Sequence, residues 1–588
     1  MKIKVYFTKE ELYVYLNYGE TVYDAAIKAG IDINANCGGK GKCGKCKVKI
    51  IKGKTNKITN NEISLLSIQD VKKNIRLSCC TKIFDDIYVG TLDKMSSCKM
   101  LTEENSKVIK LDPFVKVYNL KENLFNENAR SFEEQIIKNC KCEIKKISNE
   151  ALRKFNNLNK ISKKCVIYCS EEEIIDIDAY GKNSCYGVAF DIGTTTIVGY
   201  LIDLKSGEKR DVGAMLNPQI VYGDDVITRI EYSQRDKGLE KLNLSVINAL
   251  NKIILNLCKS QNISYDKIYA CSIVGNTCMT HIFMGIPVES LGEYPYLPIF
   301  TKFKKIKAKE RKIKINEEGY IYILPNVSGF IGADIVSDLI SSETYNTNKN
   351  FLIIDIGTNG EIVLGSKGHI ICSSSAAGPA FEGSRIELGM RGQIGAIERF
   401  DPVTFEVKVI GNTIPQGICG SGLIDIISGL IQIGAVDKKG TFTGKFKERI
   451  FKKNNIKCFK IYEKQNKIIY ITQKDIREFQ MAKSAISTAI KLLLKEMDLK
   501  ITDLDEILIA GAFGNYMDIE NAISINIIPK IDLNKIKGIG NAAGAGAIKA
   551  LLSRDFRDKC NEYAEKMKNI NLTSYKEFYK MFINDINF

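Results

Sequence analysis

Four cysteines near the N-terminus have types and spacing suited to redox chemistry. Cys37, Cys43 and Cys46 sit in one glycine-rich loop, and Cys79, in Arg76-Leu-Ser-Cys79-Cys80, follows after a long interval. Thiolates converging from a short loop and one distant segment suit a compact iron–sulfur cluster. Gly38, Gly39, Gly41 and Gly44 allow the loop unusual backbone angles and leave amides free to face the sulfurs. Zinc competes for thiolates, but zinc sites favour paired C-x2-C arms, and here the second half supplies a single distant thiol. Cys79 and Cys80 are adjacent, and in a strand they would face opposite sides, so either is a candidate fourth ligand. Two histidines in 588 residues cannot build a His-rich cage, so metal chemistry rests on thiolates and carboxylates. Gly39-Lys-Gly-Lys-Cys-Gly44 also spells G-x-G-x-x-G. No strand precedes it and no long helix follows, so it is not a dinucleotide fingerprint.

A second chemistry lies further along. Tyr186–Phe190 is an apolar run ending in Asp191-Ile-Gly193-Thr194-Thr195-Thr196, and 164 residues later Phe351–Ile354 ends in Asp355-Ile-Gly357-Thr358-Asn359-Gly-Glu361. An aspartate at a strand tip can hold Mg²⁺ through water, and the Gly-Thr turn presents amides and hydroxyls to phosphate oxygens. Two such strands facing one another would clamp a polyphosphate. Ile507–Ala510 runs into Gly511-Ala-Phe-Gly514-Asn515, a glycine turn that can lie flat against a nucleoside. No G-x-x-x-x-G-K-[ST] is present, so the nucleotide is not held by a P-loop.

The elements needed to position these groups are readable in outline. Residues 2–7 and 11–16 form a hairpin pattern, Val22–Ala29 a helix, and Lys47–Ile51 a strand leaving the cysteine loop, as in a β-grasp ferredoxin-like domain. The expected organisation is this domain over 1–92, a linker over 93–108, a small α/β middle domain over 109–183, a two-lobed unit over 184–555 and a helical end over 556–588. The lobes meet at the polar stretch 341–350. Composition, with 45% hydrophobic and 26% charged residues, excludes a wholly disordered chain. The N-terminus lacks a secretory signal and no run approaches a membrane span, so the chain reads as cytoplasmic with reduced thiols. The net charge of +16 is spread along the chain without a basic arm or nucleic-acid motif, so no nucleic-acid partner is expected. Cys140-Lys-Cys142 and Cys165-x3-Cys169 lack a glycine-rich loop and read as core thiols. His281 reads as structural rather than as a metal ligand, Glu361 and Glu382 as solvated or outer carboxylates, and Asn541–Ala550 as a close-packing helix.

The paired Asp-Ile-Gly-Thr strands resemble the two phosphate motifs of the duplicated RNase H-like ATPases of the actin, sugar-kinase and Hsp70 type, and Ile507–Asn515 resembles their adenosine motif. The cysteine spacing resembles plant-type [2Fe–2S] ferredoxins. Their fusion in one chain is similar to the reductive activators of corrinoid proteins. Further segments carry the likeness: Asn217-Pro-Gln219, Val274-Gly-Asn276-Thr277, Leu324–Phe330, Ala376–Gly383, Gly389-Met-Arg391 and Gly420–Asp425. The family's Arg-Leu-x-Cys segment aligns with Cys79, making Cys80 a departure. The resemblance implies a [2Fe–2S] cluster on Cys37, Cys43, Cys46 and Cys79, with ATP and Mg²⁺ as the further cofactors. Asp191 would organise the metal and Asp355 would orient water or metal opposite it. Gly193, Thr194, Thr195, Thr196, Gly357, Thr358 and Asn359 would contact phosphate, and Gly511 and Gly514 would border adenine. It implies one-electron reduction of inactive Co(II) to Co(I) in the corrinoid protein of a methyltransferase system in an anaerobe, fed by an upstream electron donor. The step is uphill from a cluster near about −400 mV, each 100 mV costing about 2.3 kcal/mol, and ATP would drive it. Two alternatives are an activator of another low-potential enzyme, such as a dehydratase, and an electron-carrier or nucleotide-sensing module that does not hydrolyse ATP. Residues 551–588 read as a charged amphipathic helical end, which could serve a homodimer.

Overall fold

The computed structural model describes the chain except residues 1, 10–11, 30, 32, 34–38, 40, 42–43, 45, 92–109, 121–129, 141–143, 160–164, 180, 182, 379, 384 and 465–466. The expected linker at 93–108 therefore lies outside the described residues, as do Cys37, Cys43 and Cys142.

The N-terminal sheet contains β1 (Lys2–Phe7), β2 (Leu12–Asn17), β3 (Lys47–Lys52), β4 (Ile75–Leu77) and β5 (Ile87–Thr91), in the order β2-β1-β5-β3-β4. β1 and β2 are an antiparallel hairpin, while β1 and β5 run parallel. Strand alternation turns Ile3, Val5, Phe7, Val48, Ile87 and Val89 inward. They pack with Val22, Tyr23, Ala25 and Ala26 of the helix Val22–Ala29, the arrangement of a β-grasp domain.

A second sheet comprises β6 (Val115–Leu120), β7 (Lys146–Ile147), β8 (Cys165–Ser170) and β9 (Glu173–Ala179), ordered β6-β8-β9-β7. Every residue of β8 is buried, which explains why Cys165 and Cys169 are core side chains. Tyr168 stacks on Tyr269 at 4.3 Å and Ser170 shares a hydrogen bond with the Tyr322 hydroxyl (2.9 Å), fastening this sheet to the next unit.

That unit is a duplication. The first lobe contains β10 (Tyr186–Ile192), β11 (Thr196–Asp203), β12 (Lys209–Leu216), β13 (Ile268–Gly275), β14 (Lys304–Lys307) and β15 (Tyr320–Ile323), ordered β12-β11-β10-β13-β15-β14. The second contains β16 (Phe351–Ile356), β17 (Gly360–Ser366) and β18 (His369–Ser375). Two three-stranded sheets follow: β19 (Ala396–Phe400), β20 (Val407–Val409) and β21 (Gly417–Ile418), then β22 (Ile450–Lys453), β23 (Ile456–Lys464) and β24 (Lys467–Thr472). The lobe's main sheet is completed by β25 (Glu506–Ala510), β26 (Ile536–Gly540) and β27 (Lys568–Asn569), ordered β26-β25-β16-β17-β18-β27. In both lobes the first three strands pair antiparallel, and the sheet extends from the first strand through two parallel strands, β13 and β15 in one lobe and β25 and β26 in the other. β13 and β25 thus occupy equivalent places, so the Gly-Asn-Thr and Gly-Ala-Phe-Gly segments that lead from them into short helices are counterparts.

The helices after the last parallel strands, Ala333–Ser342 and Ala542–Leu552, cross between the lobes. They approach closely because Gly546 has no side chain: a Cβ there would lie 2.5 Å from Ser337 Cβ. Residues of both lobes, among them Val198, Leu339, Phe351, Leu508 and Ala547, share one core beneath the cleft. The C-terminal end is woven into the second lobe rather than standing free. β27 pairs with β18, and Ile570 and Leu572 join the lobe's core.

Candidate functional site

The thiol site is assembled by register. β3 and β4 pair with Lys47 opposite Leu77, so the residues just outside the ladder, Cys46 and Ser78, meet, and the Ser78 N–H donates to the Cys46 carbonyl (2.8 Å). Cys46 Sγ and Cys79 Sγ then lie 3.3 Å apart, converging without approaching the roughly 2.05 Å of a disulfide. Gly39, Gly41 and Gly44 all have positive φ, as the loop reading requires. The segment carrying Cys79 is anchored by Arg76, whose Nε and Nη2 donate to the two oxygens of buried Glu62 (2.7 and 2.9 Å). Burial opposes the Glu62 charge, yet the Arg76 and backbone donors hold its carboxyl below the usual range. The Arg in Arg-Leu-x-Cys is therefore a structural clamp on the distant ligand. The strand-alternation argument for Cys79 and Cys80 does not hold. The chain leaves β4 at Leu77 and turns through a 3-10 segment, leaving the two sulfurs 3.8 Å apart rather than on opposite faces. Cys79 remains the nearer to Cys46, and two converging thiols beside positive-φ glycines fit a thiolate-held iron–sulfur cluster.

The second site lies in the cleft between the lobes, where Asp191 and Asp355 stand at equivalent strand tips. The Gly193–Thr196 turn is closed by Gly193 N–H to Thr196 O (2.9 Å). It is held from below by Asn217, which donates to Gly193 O (2.8 Å), and by Asn276, which donates to Thr194 Oγ1 (3.0 Å). Fully buried Arg229 adds donors to Thr194 O, Gly223 O and Gln219 Oε1. Burial lowers its pKa to about 10, which leaves the guanidinium charged beneath the turn. The matching turn in the second lobe is closed by Gly357 N–H to Asn359 O (2.9 Å). Thr195 and Thr358, one from each lobe, both donate to Glu382 Oε1 at 3.0 Å, so the two turns face one another across a single oxygen atom.

Asn541 ties the lobes from behind. Its Oδ1 caps the helix Ala542–Leu552 through Gly544 N–H (2.7 Å), and its Nδ2 donates to Asp191 Oδ2 (3.0 Å) and Tyr200 Oη (3.3 Å). On the other side, Gly511 has φ +74° and a Cβ there would stand 2.7 Å from Asp355 Oδ1, so its backbone flanks that carboxylate. The expected glycine turn is instead the start of a short helix, Gly511–Tyr516, and Gly514 within it packs on the Ile509 carbonyl.

The cleft is rich in carboxylates. Burial pushes Asp191 up to about 6, with the Asn541 amide opposing. Burial and then the Asp191 charge push Asp355 up to about 6. Asp334, in the first turn of the helix Ala333–Ser342, rises to about 7 through burial and the charge of Asp355. Asp338, one turn on, stands well above the usual range through burial and the charges of Asp355, Asp334, Asp191 and Glu361, and neither of its oxygens has a hydrogen-bond partner among the described residues. Among the described residues no three of these side chains come together closely enough to grip a metal directly, so a divalent cation here would be held through water.

Asp191, Asp355, the two Gly-Thr turns and Gly511 are thus brought to one cleft. Asn541, Arg229, Asp334 and Asp338 were not singled out from sequence, and Glu382, expected as a solvated or outer carboxylate, is the outer kind, bridging the hydroxyls of the two turns. A polar residue one position before a small-residue helix (Asn541) was the only local signal available. His281 is fully buried, its Nδ1 facing Thr277 O (2.7 Å) and its Nε2 accepting from Ile299 and Phe300 N–H (3.1 and 3.3 Å), which confirms a structural role.

Comparison with known proteins accords with this geometry. A 2Fe-2S iron-sulfur cluster binding domain matches residues 9–83, the RACo middle region matches 186–347, and the C-terminal domain of RACo, the ASKHA domain, matches 349–588. The family's middle region therefore coincides with the first lobe of the duplication. The corrinoid activation enzyme RamQ of Eubacterium limosum is 33% identical over 96% of each chain. The [Co(II) methylated amine-specific corrinoid protein] reductase of Methanosarcina barkeri is 26% identical over 65% of this chain and 73% of its own. A solved reductive activator for corrinoid, iron-sulfur protein superposes with a TM-score of 0.75 and 32% identity, covering 100% of this chain and 98% of that one. With full-length similarity and all three parts in order, the chain belongs to the family of reductive activators of corrinoid proteins.

Proposed function

We propose that this protein couples ATP to the one-electron reduction of a corrinoid protein, returning inactive Co(II) to Co(I). The observation that carries the reading is the meeting of Thr195 and Thr358 at one point in the cleft, in a chain that also brings Cys46 and Cys79 together. The two turns would grip the phosphates of ATP from opposite sides. Arg229 keeps the first turn's backbone in place, and Asn541 orients Asp191. Asp191 and Asp355 would hold Mg²⁺ through water, which neutralises phosphate charge. Gly511 and Gly514 would border the adenine. A [2Fe–2S] cluster held by Cys37, Cys43, Cys46 and Cys79 supplies a one-electron carrier. The Arg76–Glu62 pair fixes the distant ligand, and Cys46 is nearly fully buried, which limits water around its sulfur. The expected domain partition, 1–92, 93–108, 109–183, 184–555 and 556–588, separates electron delivery from nucleotide binding. A cytoplasmic setting keeps the thiols reduced, and a low-potential carrier upstream supplies the electron. Among the described residues no helix is long and apolar enough to cross a membrane.

The test mixes the full-length protein, a chemical reductant and a corrinoid protein with and without Mg-ATP, and follows cobalt by its absorption spectrum. Co(I) should accumulate only when ATP is present. Equal cobalt reduction without ATP refutes the coupling, and phosphate release that ignores the corrinoid protein refutes the partnership.

A further inference from the structure

Glu382 follows β18 in the second lobe, and its Oε1 accepts hydrogen bonds from the hydroxyls of both phosphate turns. A threonine hydroxyl has one proton to donate. Thr195 and Thr358 therefore cannot bind a phosphate oxygen while each donates to Glu382. Burial raises the Glu382 carboxyl above its ordinary range, opposed by the charges of Arg391 and Arg229, the cations an incoming phosphate would meet. In charge, acceptor chemistry and position it stands where a phosphate oxygen of the nucleotide is expected.

The described backbone next to Glu382 is closely packed. Gly383 has φ +76°, and a Cβ there would lie 2.7 Å from Met390 N. A Cβ on Gly389 would lie 2.2 Å from Gly383 O. The first turn is independently held by Asn217, Asn276 and Arg229. Release of the hydroxyls thus falls to rotation of the Glu382 side chain.

Resting on the nucleotide reading above, we propose that Glu382 holds the phosphate seat of the nucleotide-free protein, bridging the lobes through Thr195 and Thr358. The phosphate chain of ATP must displace it. Glu382 is then a specificity-determining residue that lowers affinity for ligands whose phosphates reach both turns and leaves others untouched.

Isothermal titration of the full-length, nucleotide-free protein with Mg-ATP and with AMP tests this. E382A should bind Mg-ATP about tenfold more tightly than wild type, because the competing acceptor is gone, and AMP should bind as it does to wild type. E382Q, which keeps an acceptor but drops the charge, should fall between, and it serves if E382A does not fold. ATP bound no more tightly by either variant, or AMP strengthened as much as ATP, overturns the role of Glu382. Wild-type protein that binds no Mg-ATP overturns the nucleotide reading itself.

Discussion

Replacing Asn541 probes the link between the lobes. Its side chain caps the helix Ala542–Leu552 and, from the second lobe, donates to Asp191 and Tyr200 of the first. Losing an N-cap costs about 1 kcal/mol. A hydrogen bond to a carboxylate is worth about 1.5 kcal/mol at the low end of its range, which applies because Asp191 opens on the cleft and water can partly replace the amide. N541A should therefore destabilise the two-lobed unit by about 2.5 kcal/mol. For a unit of this size that is a fall of about 3 °C in its calorimetric transition. N541S separates the two contributions. Serine caps well but is too short to reach Asp191 from the cap position, so N541S should recover about 1 kcal/mol of the loss. Both variants should bind Mg-ATP more weakly, since Asp191 loses the group that orients it. The reasoning is refuted if N541A melts with wild type, or if N541S is as damaging as N541A.

Three further outcomes are expected. C79A should lose iron and acid-labile sulfide while C80A retains both, since Cys79 is the sulfur near Cys46; the reverse pattern by iron assay and electron paramagnetic resonance would assign Cys80 instead. R229M strips donors from Thr194 O, Gly223 O and Gln219 Oε1, each worth about 1–3 kcal/mol when left unsatisfied. Mg-ATP affinity by calorimetry should drop well over tenfold, with R229K restoring part of it and an unchanged affinity contradicting the role. Burial holds His281 near 4, below its ordinary value of 6.5, against the opposing Thr277 carbonyl. The unfolded chain takes up that proton first, so stability present above pH 6.5 should be lost as pH falls toward 4, by about 3 kcal/mol in all. Melting profiles of H281Q should show a shallower acid decline than wild type over that window, and parallel profiles would contradict it.

What the sequence could reveal was local. A strand that must end in Asp and turn through Gly-Thr is written in consecutive residues, so Asp191–Thr196 and Asp355–Asn359 were legible, and the repeat between them disclosed the duplication. The thiol loop was legible for the same reason, because glycines that must take positive φ sit beside the cysteines they serve. The hairpin at the start of the chain followed from alternation.

The tertiary structure decided which distant residues complete those motifs. Asn541 reaches Asp191 across 350 positions, and Glu382 joins Thr195 across 187, so no periodicity or spacing could announce either contact. Arg229 looked like one of many basic side chains until burial placed its guanidinium beneath the phosphate turn. Alternation would part Cys79 and Cys80 only within a strand, and the chain turns immediately after Leu77. The sequence by itself determined the chemical groups and the turns that carry them. Only the folded chain determined what faces each group, because hydrogen bonding and burial depend on neighbours in space, and in a duplicated two-lobed fold those neighbours come from the other lobe.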